Sequence, residues 1–536
     1  MKIKYILFST VLLMIFACQQ KSMSPEFEWP VYDESQWLLT SEKHDNPRMH
    51  YKRIQSEFLD RPAILEGIMN QIEDFSAEDY ESLKGLILDK NIRDIQAAID
   101  EKKLNYETLT KWYLYRIATI ETDSFLSLNT IISINPMAVE EARKFDKGPR
   151  GKHPIYGMPV LLKDNINTKD MPTTAGAYVL KDNYTEDAEL VKNLKNNGAI
   201  ILAKVNLSEW AYYFCAGCPV GYSAVGGQTL NPYGRMIFET GGSSSGSATA
   251  VAANFGVAAV GTETSGSILS PSSQNSIVGL KPTVGLVSGL GIVPISKTLD
   301  TAGPMTRSVE DNLILLTAMA DQNHEKLELP EDWNQWKTKN LGENFSIGVF
   351  RDYLENDSLY AAASDLLSKL GIETVEVNSP VFDYAGFLSL LNIDMKFALP
   401  QYLESHAGPE VEVRNLKDIM EYNSKDSLSF MPYNQGRFDG IIADTTDQVA
   451  FEKIKEDLMM RGKSYFENLM SENGIDIIAS INNYHAGQAA VARYPAITVP
   501  MGYREDGEPA GITFIAPSGN EMLLYNIAAK FELLSQ

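Results

Sequence analysis

Apolar residues recur at three- and four-residue steps in two early stretches, Ile92, Ile95 and Ile99, then Leu109, Trp112, Tyr113, Ile117 and Ile120. That spacing predicts two helices, each with one buried stripe. Asn105 or Thr108 stands where the second helix needs a side-chain cap. Other apolar runs are short and unbroken. Pro159 to Leu162 and Ala199 to Ala203 predict strands buried on both faces, the first ending at Lys163 and Asp164. Gly256 to Gly261 predicts a third buried strand, feeding a turn over 262–267. Helical periods return at 358–370, at 450–473 and from about 520 to 534, with strands predicted at 345–350, 372–378 and 475–480. The stretch 380–450 has no strong period. Strands alternating with helices predict an α/β fold with a mixed sheet.

The beginning of the chain follows a different rule. Lys2 and Lys4 precede an apolar run of 12 residues, Ile6 to Ala17. A membrane span needs about 20, so this is the pattern of a secretory signal. Ile15, Phe16, Ala17 and Cys18 resemble a bacterial lipobox. That resemblance implies a lipid on Cys18 and a place in the cell envelope, on the periplasmic face or the outer membrane. An ordinary signal cut nearby is the alternative. Gln19 and Gln20 follow, with no Asp at the second place, as in outer-membrane lipoproteins. The organisation expected is a signal at 1–18, a tether and N-terminal helical extension at 19–85, and one large domain at 86–536. No long Gly/Ser or Pro-rich linker and no internal repeat divides the last segment.

Composition narrows the function. With 44% hydrophobic and 22% charged residues over 536 positions, the chain is globular rather than disordered. The net charge of −23 opposes phosphate backbones, so nucleic acid is not an expected partner. The six histidines are scattered, and three cysteines make no zinc ribbon. Cys215 and Cys218 form a lone CxxC, read as a structural or incidental pair.

The candidate chemistry lies in serines. Gly241 to Ser247 reads GGSSSGS. It lacks the lysine and glycine spacing of a phosphate loop. Gly242 to Gly246 fits a G-x-S-x-G elbow centred on Ser244, which would need a histidine and an acid later in the chain. His324, His406 and His485 are available by count alone. The bland alternative is a small-residue turn that packs a helix closely. Ser267 follows the predicted strand, and the N–H groups of residues 264–267 can converge as an oxyanion hole. Lys163, at the end of its apolar strand, would lose its proton readily if desolvated and so serve as a base.

These motifs together resemble the amidase signature family. The lysine motif is Gly157 to Asn165, and the two serine motifs are Gly241 to Ser247 and Gly261 to Ile268, running on to Thr283. Asp300 to Pro304 and Tyr494 to Pro500 resemble later family motifs, so the likeness spans about 90–535. The two serines stand 24 residues apart, as is usual in that family. The resemblance implies a single large domain with a central twisted mixed β-sheet flanked by helices. It implies Ser267 as nucleophile, Ser243 as a serine held by a cis peptide, and Lys163 as general base. The N–H groups of Thr264, Ser265, Gly266 and Ser267 would hold the oxyanion, and no cofactor is implied.

Some positions depart from the family pattern. Glu263 stands where Asp is more common, and Ser265 where Gly or Asp is. Leu269 and Ser270 occupy places where many members have Arg. The motif style is nearest the peptide-amidase-like branch. The expected activity is an exported amide hydrolase that releases ammonia or an amine from a neutral small-molecule or peptide amide through an acyl-enzyme. Two other readings are a cytosolic glutaminase subunit serving tRNA, disfavoured by the export signal, and a non-catalytic binding lipoprotein, disfavoured by the complete Ser-Ser-Lys set. The substrate pocket is expected to be lined largely from 380–450, with Arg414 or Arg437 as possible sources of charge.

Overall fold

A computed structural model describes residues 27–320, 327–338 and 345–535. Cys18 and His324 lie outside the described residues. Eleven strands form one sheet. From one edge they run Ile131–Ile134, Ile200–Val205, Pro159–Lys163, Ala258–Glu263, Thr301–Thr306 and Val278–Lys281. The order continues through Ala496–Tyr503, Pro509–Ile515, Ile477–Ile481, Ser346–Phe350 and Glu373–Val377. Pairings are parallel among 200–205, 159–163 and 258–263 and again among 477–481, 346–350 and 373–377. The middle of the sheet is antiparallel. This is the α/β fold with a large mixed sheet that the alternating pattern predicted.

The unbroken apolar runs became central strands because both faces are covered. Val160, Leu161 and Leu162, and Ile200 to Ala203, are all buried. Trp112 of the helix Tyr106–Glu121, Leu313 of Val309–Met319 and Tyr525 of Glu521–Ser535 share one core with those strands. Asn105 provides the helix cap, accepting from the Thr108 N–H at 2.8 Å. Ile54, Ile68, Ile72 and Phe75, from the stretch drawn as an extension, are buried in that same core.

The stretch 380–450 folds as helices, the longest being Phe387–Ser405, with Pro400 inside it. Leu390, Leu399 and Tyr402 pack there with Trp210, Phe214 and Phe438 in a second apolar cluster. Cys215 and Cys218 are joined by a disulfide in that cluster. Among the described residues no helix is long and apolar enough to cross a membrane.

One strand differs from expectation where it matters. The third buried strand runs to Glu263 instead of ending at Gly261. Its ladder with Thr301–Thr306 continues through Thr262 opposite Ala302 and Glu263 opposite Thr301. The turn therefore begins at Thr264, and Thr262 stays beside the end of the neighbouring parallel strand that carries Lys163.

Candidate active site

Sheet register brings the lysine and the first serine together. Lys163 ends its strand in parallel pairing with 258–263, which directs its amine toward Thr262. Lys163 Nζ lies 2.8 Å from Thr262 Oγ1, 3.1 Å from the Thr262 carbonyl and 2.8 Å from Ser243 Oγ. Lys163 and Ser243 are both fully buried. Burial lowers the lysine pKa to about 7, against the opposing pull of Asp300 and Glu263. Asn165 Nδ2 donates to the same Thr262 hydroxyl at 3.0 Å. Thr262 and Asn165 carry no signal of this role in their own motifs; the role follows from the strand's extra length.

Ser243 belongs to a rigid loop. The Gly242–Ser243 peptide is cis. The Ser208 N–H donates to the Ser243 carbonyl at 3.0 Å, and Ser245 Oγ donates to the Gly241 carbonyl at 2.8 Å. The helix Ser245–Ala252 then starts against the chain at Asn206. A Cβ on Gly246 would come within 2.4 Å of the Asn206 carbonyl oxygen, so only glycine permits this approach.

Ser244, the elbow candidate, points elsewhere. Its hydroxyl donates to the Thr262 carbonyl at 3.0 Å and accepts from the Thr262 N–H at 3.2 Å, fully buried. Among the described residues no histidine serves it. His485 is stacked on Phe350 and hydrogen-bonded with Ser480 and Tyr465, and burial holds its pKa near 4. His406 lies in a different cavity from Ser267.

The turn carrying Ser267 is held from inside by Glu263. That carboxylate accepts from the N–H of Gly266 at 2.7 Å, of Ile268 at 2.7 Å and of Leu269 at 3.0 Å. Gly266 makes the turn with φ of +88°. The Gly266 amide, one of the four expected oxyanion donors, thus already has an acceptor in Glu263. The N–H groups of Thr264, Ser265 and Ser267 have no protein acceptor among the described residues. Lys281, fully buried, stands as a countercharge to Glu263; burial lowers its pKa to about 8. Glu263→Ala would orphan three N–H groups, at about 1.5–3 kcal/mol for bonds to a charged acceptor. It should slow fluorophosphonate labelling of the protein at least tenfold and lower its Tm, both readable in one preparation.

Ser265, Ser267 and Ser270 open onto a cavity of about 600 Å³. None of its walls comes from 380–450. They come from Tyr212, Glu239, Gln274, Asn482 and Asn483, and from two arginines that sequence reading did not find, Arg48 and Arg504. Arg48 is placed by a short turn, Pro47–Met49, that Asn46 caps. It pairs with Glu239 at 2.7 Å. Arg504 pairs with Asp357 at 2.9 Å. Arg414 and Arg437 do not line this cavity. Arg414 turns back onto the carbonyls of Val411 and Val413, and Arg437 covers the Tyr213 ring. A second cavity, also about 600 Å³, touches Thr262 near the strand's end and Thr264 in the turn; it is lined mostly from 284–295, with Ala398, Gln401, Tyr402, Ser405 and His406 from the 380–450 stretch.

The chain has relatives among known proteins. The amidase family profile matches residues 108–481. A probable amidase of Arabidopsis thaliana is 35% identical over 472 residues, covering 83% of this chain and 90% of its own. The crystal structure of an amidase family protein from Bacillus anthracis superposes with a TM-score of 0.83 at 36% identity, over 90% of this chain and 98% of that one. The native peptide amidase of Stenotrophomonas maltophilia does so with a TM-score of 0.75 at 33% identity, over 84% and 97%.

Proposed function

From the premise that this chain belongs to the amidase family, and is therefore an amide hydrolase, we propose that it works through Lys163, Ser243 and Ser267 and an acyl-enzyme. The observation that carries this reading is the 2.8 Å contact between the buried Lys163 amine and Ser243 Oγ, in the loop beside the Ser267 turn. A neutral lysine has two N–H bonds and one lone pair. The N–H bonds are satisfied by the carbonyl and hydroxyl oxygens of Thr262, which leaves the lone pair for the Ser243 proton.

In the forward step Ser243 passes its proton to Lys163 and takes one from Ser267, whose oxygen bonds to the amide carbon. The negative charge on the former carbonyl oxygen is received by the N–H groups of Thr264, Ser265 and Ser267. The proton returns through Ser243 to the nitrogen as the C–N bond breaks, releasing ammonia or an amine. Water then repeats the sequence on the ester and frees the acid. All of these groups belong to the chain, and no cofactor enters the scheme.

The cavity favours an acyl group without a carboxylate. Leu269 and Ser270 offer no cation beside Ser267, and both arginines present are already matched by Glu239 and Asp357. The likeness to a peptide amidase supports peptide amides among the substrates. The test is a panel of neutral acyl amides, peptide amides and their ω-carboxylate analogues, with fluorophosphonate labelling of Ser267 as the independent readout. Absence of both turnover and labelling would refute the reading.

The N-terminal pattern supports export and anchoring through a lipid on Cys18. Cys18→Ser should shift the protein from the membrane fraction to the soluble one, or block processing. Unchanged fractionation, with no acyl mass on the wild-type N-terminus, would end that part of the proposal.

A further inference from the structure

The wall facing Ser267 has more negative than positive groups. Its charged side chains are Arg48 and Arg504 against Glu239, Asp357 and Glu508, with Tyr212 and Tyr484 as the remaining titratable groups. The two short ion pairs, Arg48 with Glu239 at 2.7 Å and Arg504 with Asp357 at 2.9 Å, match the cations one to one. Glu508 is the third carboxylate. It stands 3.5 Å from Arg504 Nε, on an edge of a guanidinium already paired elsewhere. Its place is fixed by the hairpin between the strands Ala496–Tyr503 and Pro509–Ile515, where the Arg504 N–H donates to the Glu508 carbonyl at 2.8 Å. Its side chain is 34% exposed. Water therefore screens it only in part, and because its one countercharge is shared with Asp357, a cation entering the cavity meets an acceptor that is only partly matched.

Arg48, Arg504 and Glu508 all lie outside residues 108–481, the segment that matches the family profile. Both arginines and Glu508 of this wall thus come from outside the matched segment, while Glu239 and Asp357, which pair with the arginines, lie within it.

We propose that Glu508 receives a substrate ammonium group, and that the amides this protein prefers carry a free amine, as amino-acid amides and unblocked peptide amides do. This inference rests on the amide-hydrolase reading of Ser267 and adds the charge of the substrate to it. A carboxylate brought to the same wall would meet arginines whose charge Glu239 and Asp357 already offset, and a third carboxylate beside them.

The experiment uses peptide amides in which the amine stands one, two or three residues from the amide, each paired with its N-acetyl form. The quantity read is the ratio of kcat/KM for free over acetylated substrate. In the wild-type protein the ratio should reach about tenfold at one of the three lengths, the size of a charge-assisted hydrogen bond. It should fall with added salt. Glu508→Gln should bring the ratio close to one. Glu505→Gln removes the same charge from an exposed neighbour on the same hairpin that does not line the cavity, and should leave the ratio where it was. A ratio near one at every length in the wild type, or a ratio lowered equally by both substitutions, would overturn the proposal while leaving amide hydrolysis intact. If no amide of either series is hydrolysed and Ser267 is not labelled, the reading of the site fails and this inference falls with it.

Discussion

Ser267→Ala should abolish amide hydrolysis, by ~10⁴-fold or more in kcat, and eliminate covalent labelling by a fluorophosphonate. Ser244→Ala should stay within about tenfold of the parent. The contrast is sharp because the two hydroxyls are so differently employed. Ser267 opens onto the cavity with no protein partner for its side chain among the described contacts. Ser244 is fully buried, and its hydroxyl both donates to and accepts from the backbone of Thr262. Removing it leaves a strand carbonyl and N–H short of one partner each, at about 1–3 kcal/mol of stability, so a lowered Tm with retained activity is its expected signature. Measuring kcat and Tm on the same preparations separates the roles. An inactive Ser244→Ala protein with unchanged Tm, beside an active Ser243→Ala, would restore the elbow reading.

The sequence showed the central sheet clearly because runs such as Val160 to Leu162 are buried on both faces and carry no polar alternation to blur them. It showed little of 380–450. The helix Phe387–Ser405 contains a proline, and it is apolar along much of its length where it joins the second cluster. Its buried stripe is blurred in the sequence because Leu388 and Phe397 stand on the exposed face and Asp394 on the buried one, although Asn415 caps the next helix, Leu416–Asn423, in the ordinary way. The strand ending at Glu263 runs two residues past the end its sequence predicts. Thr262 and Glu263 look like turn residues, and only the ladder with Thr301–Thr306 keeps them extended.

The same distinction divides the site. Lys163, Ser243 and Ser267 stand in dense local motifs of small residues, so their places could be read from the chain. Arg48 could not, because it reaches the cavity through a contact with Glu239 that is 191 residues away in sequence. Nor could the loss of the Gly266 amide to Glu263, which depends on how far a carboxylate folds back over its own turn. Local composition marks where chemistry occurs, and tertiary contacts decide which neighbouring groups remain free to take part.

Lys163 should impose the acid limb of the pH profile. Its amine works as a base only when unprotonated, and burial brings its pKa to about 7. Protonation therefore removes activity as pH falls. kcat/KM should drop about tenfold per unit below pH ~6.5 and level off above pH ~8. The carboxylates of Asp300 and Glu263 act against the depression, and burial outweighs them. Burial also raises the Asp300 pKa to about 6, so that group sheds part of its charge just where the lysine gains one. Lys163→Met keeps the length and burial of the side chain but offers no proton acceptor. It should cost about 10²–10⁴-fold, the usual contribution of a positioned base, and the limb near pH 7 should disappear from the residual activity. Acylation measured in a single turnover is the proper readout, because it excludes product release. A flat wild-type profile from about pH 5 to 9 in that assay would mean that Lys163 does not take the proton. A limb that survives in Lys163→Met would assign the titration to another group, and Asp300 is then the one to replace.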